Sequence, residues 1–101
     1  MSDSATERMI ELQKQLTIRL AELGFEGVPA SNVVHRLAEI SVLAIDLAEK
    51  SVPLLLEMSP EHRDALVSLV AHIKWDMEEI KDAITDLEPD VTELFEFLQQ
   101  R

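Results

Sequence analysis

The sequence predicts an all-α protein: an antiparallel bundle of three long helices, completed by a short C-terminal helix or kinked extension. Three observations carry this expectation. Only 2 of the 101 residues are glycine and 4 are proline, too few for a turn-rich β fold. Apolar residues make up 47% of the chain, and they recur at steps of three and four, the period of one helix face. Start and stop signals separate these periodic stretches. The length suits one core, so residues 1–101 are expected to form a single helical domain.

The first helix is expected from Ser4 to Leu23. "SATE" has the form of a capping box, with Ser4 as N-cap and Glu7 three residues on. Met9, Leu12, Leu16, Leu20 and Leu23 form its stripe, and Gly24 suits the C-cap. "GFEGVPAS", residues 24–31, then reads as a loop.

The second helix is expected to begin at Ser31 or Asn32 and to reach about Lys50. It carries two apolar seams side by side. One runs through Val33, Leu37, Ile40, Ala44 and Leu47, the other through Val34, Ala38, Ser41, Ile45 and Ala48. A helix apolar over so wide an arc is covered by neighbours on more than one side. Pro53 is expected to interrupt the chain, leaving "LLLEM" (54–58) as a short apolar turn.

Ser59-Pro60-Glu61 restarts a helix, with Ser59 as N-cap and Pro60 at the first helical position. Leu66, Val70, Ile73, Met77, Ile80, Ile84 and Leu87 follow at steps 4, 3, 4, 3, 4, 3, a heptad pattern. The phase continues beyond Pro89 through Val91, Leu94 and Leu98. Because the residue before proline is pushed out of helical angles, Pro89 is expected to open a separate short helix. The doubled seam and the long heptad together predict a homodimer. Its seam residues, within the bundle or between chains, would be Leu37, Ile40, Ile45, Ile73, Met77, Ile80 and Ile84.

Charge narrows the function. Twenty acids against nine bases give −11, and residues 75–98 hold nine of the acids with Lys81 as their one base. Such a chain lacks the basic footprint that nucleic acid requires, and anionic membranes repel it. Charged residues cut every apolar run short of a membrane span. With no cysteine and no basic start leading into an apolar run, the expected location is cytoplasmic.

Catalytic motifs are missing. No glycine-rich phosphate loop or Gly-x-Ser-x-Gly occurs, and Ser4, Ser31 and Ser59 are expected to be caps. His35 with Glu39 and His72 with Asp76 are i,i+4 pairs that together offer two nitrogens and two carboxylates to a metal. Surface hydrogen bonds and ion pairs account for the same spacing, so no metal or cofactor is expected. Glu79-x-x-Asp82 and Glu93-x-x-Glu96 are similar to the acidic pairs of all-α nucleotide pyrophosphohydrolases of the MazG type. Their order is reversed, however, and no lysine or arginine cluster awaits a triphosphate.

The chain's single tryptophan raises a separate question. In "AHIKWDMEEIKDAI" (71–84), Trp75 lies roughly 140–200° around the helix from Ile73, Met77, Ile80 and Ile84. It stands among Glu78, Glu79 and Asp82 instead. Another element or a second chain covers it, or it anchors a protein partner as an aromatic ringed by acids. Phe97 belongs to the same expected patch. The resulting expectation is a non-enzymatic protein–protein interaction module, a small acidic regulator of inhibitor or chaperone type. Its partner would present a basic or apolar docking surface. The alternatives are a metal-dependent helical hydrolase and a structural subunit of a larger assembly.

Overall fold

The computed structural model describes residues 4–100, apart from the side chain of Ser4. The described residues form helices and no strand: α1 (Ser4–Leu23), α2 (Val28–Asp46), a π-helical turn (Leu47–Ser51), α3 (Val52–Glu57) and α4 (Arg63–Gln99). The expected Ser4–Glu7 capping box lies outside the described side chains.

The end of α1 follows its sequence signals. Gly24 takes φ 85°, a left-handed conformation that costs glycine little. The Phe25 N–H donates to the Leu20 carbonyl (2.9 Å) and the Gly24 N–H to the Ala21 carbonyl (3.0 Å). This is the Schellman arrangement, and its hydrophobic partners Leu20 and Phe25 are both buried.

The second helix departs from expectation at both ends. It begins at Val28, with Gly27 rather than Ser31 or Asn32 at the N-cap. Pro29 is tolerated because the first-turn N–H groups have no intrahelical acceptor. Nor does Pro53 end the helical path. Its ring would clash with the carbonyl of residue 49 in a regular α-helix. Here the preceding turn widens, the Val52 N–H donates to the Leu47 carbonyl five residues back, and α3 carries on. "LLLEM" is therefore mostly helix.

Ser59 does not cap the last long helix. Its Oγ accepts from the Glu61 N–H at 3.3 Å within a turn, and His62 occupies the N-cap position of α4. Pro89 does not open a separate helix either, because α4 runs unbroken from Arg63 to Gln99. Tertiary anchors hold the helix on both sides of the proline. Leu87 is buried, Asn32 bonds the Asp90 carboxylate, and Leu94 and Phe97 pack on the core. Arg36 adds an ion pair to Asp86 (3.1 Å).

α2 lies in the middle, with α1 and α4 both packed on it, which is the role its doubled seam requires. Leu20, Phe25, Val33, Val34 and Leu87 form the core, near the loop between α1 and α2. There Phe25 meets Phe97 with ring centroids 5.4 Å apart.

The stripe that α4 turns towards α2 is heptadic, but it is shifted from the expected one. Ile73, Ile80, Leu87 and Leu94 face inward as expected. They alternate with Asp76, Ala83, Asp90 and Phe97, all buried or half-buried, rather than with Val70, Met77, Ile84, Val91 and Leu98. Those five remain 51%, 58%, 47%, 39% and 41% exposed. Of the other expected seam residues, Leu37, Ile40 and Ile45 are half-buried. The described helices contain none long and apolar enough to cross a membrane.

Candidate functional site

Where α2 gives way to the π-helical turn, Asp46 meets two residues of α4. His72 and Asp76 lie one turn apart on that helix, so their side chains share a face. His72 Nε2 is 3.0 Å from Asp46 Oδ2 and 3.4 Å from Asp76 Oδ2. One donor atom from each of the three residues falls within 4.8 Å of the others. Among the described residues this is the only such group of three or more histidine or acidic side chains. π-Helical turns frequently accompany functional sites, and here one begins at the next residue.

The three groups differ sharply in setting. His72 is half exposed, whereas the Asp76 side chain is 1% exposed. Asp76 Oδ2 is buried and accepts no hydrogen bond. Burial pushes the Asp76 carboxyl above the usual carboxylate range, and competition with Asp46 for a proton pushes it the same way. The hydrogen bond from His72 holds Asp46 below that range, against its own partial burial. The hydrogen bond to Asp46 raises His72 above the ordinary imidazole value. Lys50, in the π-helical turn, adds a weaker through-space attraction to Asp46. Two carboxyls and one imidazole can thus share protons, or hold a cation between them.

Trp75 is 55% exposed and stacks on His72, with centroids 6.4 Å apart and planes 22° from parallel. No other described part of the chain buries it. Glu78 and Asp82 are exposed and Glu79 is half-buried, so the acidic surround expected for Trp75 is present. Phe97 lies elsewhere: it is some 33 Å along α4 from Trp75, and it packs on the core beside Phe25.

The two expected histidine pairs do not come together. His35 lies 3.3 Å from the Gln13 side chain, and Glu39 pairs with Arg36 at 3.0 Å. The third ligand-type residue beside His72 and Asp76 is Asp46, from a different helix. No short spacing announces it, because 26 residues separate it from His72. No protein-family model matches the chain, and no curated protein or solved structure is significantly similar to it.

Proposed function

We propose that this chain is a non-enzymatic protein–protein interaction module that pairs with a second copy of itself through the outer stripe of α4. The observation that carries this reading is the series Val70, Met77, Ile84, Val91 and Leu98. It is spaced by sevens over about 42 Å of helix and turned away from α2. A strict seven-residue repeat is the pattern of a helix that packs against another helix. Between α2 and α4 the stripe borders a groove lined by Leu37, Ile40, Ile84, Leu87 and Val91.

Surface area supports the same reading. The chain exposes 7279 Å², whereas a compact monomer of 11.4 kDa exposes about 5,800 Å². A surplus of about 1,500 Å² exceeds the roughly 800 Å² that each partner buries in a standard interface.

Charge selects the orientation of the pair. The first half of α4, residues 63–81, holds three bases and four acids, while residues 82–99 hold six acids and no base. Parallel pairing sets the two acidic halves together. Antiparallel pairing about Ile84 sets Lys74 and Lys81 of each copy against the acidic half of the other, which lowers the repulsion. The surface around Trp75, Glu78, Glu79 and Asp82 then stays free for a partner with a basic and apolar docking face. An inhibitor or a chaperone uses such a surface.

Sedimentation equilibrium of the full chain tests the pairing. The expected mass is twice 11.4 kDa at micromolar concentration, with Ile84→Glu weakening association roughly a hundredfold. A monomeric wild type, or an Ile84→Glu variant that still pairs as tightly, overturns it.

A further inference from the structure

We infer that Asp46, His72 and Asp76 bind one divalent first-row transition-metal ion, with zinc the best match to the donor set. Their convergence comes from two different helices, so it is not a by-product of helical spacing. The His72 Nε2 separations of 3.0 and 3.4 Å from the two carboxylates bracket the ~3.3 Å between ligand atoms of a tetrahedral ion with bonds of ~2.0–2.1 Å. One imidazole with two carboxylates suits zinc and its neighbours, whereas magnesium and calcium prefer oxygen alone.

Asp76 gives the independent reason. Its buried Oδ2 accepts no hydrogen bond and lies on the side of His72 Nε2. Native proteins leave few such atoms without a partner, and a bound ion is one of the standard partners. Asp46 and Asp76 bring two carboxyl groups to one imidazole, with the Asp76 side chain 1% exposed. A divalent ion supplies the partner that Asp76 Oδ2 lacks. Three protein ligands leave a further position, on the exposed side of His72, for water or a ligand.

The site is independent of the proposed pairing. Around α4, His72 and the outer stripe lie on opposite flanks of the face packed on α2, so Ile84→Glu leaves metal binding unchanged. This separates the two tests.

The experiment titrates the chelator-stripped full chain, free of any affinity tag, with zinc chloride and, separately, magnesium chloride. Calorimetry gives the stoichiometry. Emission from Trp75, the chain's single tryptophan and stacked on His72, reports occupancy at the site. We expect one zinc ion per chain at micromolar affinity or better, with magnesium at least about a hundredfold weaker. Asp76→Asn, Asp46→Asn and His72→Gln each weaken zinc binding at least about tenfold, while His35→Gln changes nothing. Absence of saturable zinc binding overturns the inference and leaves a shared proton as the occupant. Binding that is indifferent to Asp76→Asn and Asp46→Asn, or lost with His35→Gln, overturns it equally.

Discussion

His72 on α4 and Asp46 at the end of α2 are joined Nε2 to Oδ2 at 3.0 Å, and the same imidazole nitrogen lies 3.4 Å from buried Asp76. This junction ties the first half of the long helix to the point where the central helix widens into its π-helical turn. It places a poorly satisfied carboxyl out of reach of solvent. Its energetics therefore separate cleanly by residue.

Asp76→Asn stabilises the metal-free protein at neutral pH. Burial raises the Asp76 carboxyl, so its favourable contribution is full below the ordinary carboxyl value and is lost as pH rises through the raised one. Above that, the ionised group is a liability. Asparagine removes the charge, and its amide can donate to the Asp46 carboxylate. The expected gain is on the order of 1 kcal/mol, read as a higher urea midpoint at pH 7 with chelator present. A lower midpoint would show that ionised Asp76 has compensation beyond His72.

The Asp46–His72 pair gives stability its own pH window. Asp46 is lowered, so its contribution is present above about 3.8 and disappears as pH falls through the depressed value. His72 is raised, so its contribution is full below about 6.5 and disappears as pH rises through the elevated value. Both act together between those two ordinary values, with Lys50 and Asp76 as the other charged neighbours. Urea midpoints measured without metal are expected to decline as pH rises beyond about 6.5 and through the elevated His72 value. His72→Gln flattens that decline; an unchanged slope would mean that other groups set it.

The helical class and the first helix were legible in the sequence because local signals and packing agree there: stripe and Gly24 point to the geometry that Phe25 completes in the structure. The central role of α2 was legible in its doubled seam. Pro53 and Pro89 misled because proline rules describe a regular, isolated helix, whereas here a widened turn accommodates Pro53 and packing on either side of Pro89 holds α4 helical. The inward face of α4 was half legible. Asp76 and Asp90, spaced by two heptads and in register with Ala83 and Phe97, occupy positions that an apolar pattern search discards. Asp46 had no sequence signal at all, since a contact across 26 residues has no local period.

Pro89→Ala is expected to stabilise the fold. Pro89 is exposed in the interior of α4, where it removes one backbone hydrogen bond and crowds the carbonyl of residue 85. The full helix-propensity difference is about 3 kcal/mol, part of which is offset because proline also restricts the unfolded chain. A net gain of about 1–2 kcal/mol in urea unfolding is the expected result. A loss would mean that Pro89 itself holds Asp90, Leu94 and Phe97 in place for their contacts.

Trp75 decides whether the acidic surface stays open when the chain pairs. It points roughly 180° away from the outer stripe of α4, is 55% exposed, and stands beside Glu78, Glu79 and Asp82. Pairing through Val70, Met77, Ile84, Val91 and Leu98 therefore leaves it in water. Its emission is expected to be red-shifted in the wild type and unchanged in Ile84→Glu. Caesium should quench it more strongly than iodide at low salt, because the neighbouring carboxylates concentrate cations and repel anions. Charge reversal at Glu78, Glu79 and Asp82 inverts that order. If the wild type emits in the blue and Ile84→Glu restores the red shift, the second copy covers Trp75. The interface then includes the acidic face, and that face is not free for a basic partner.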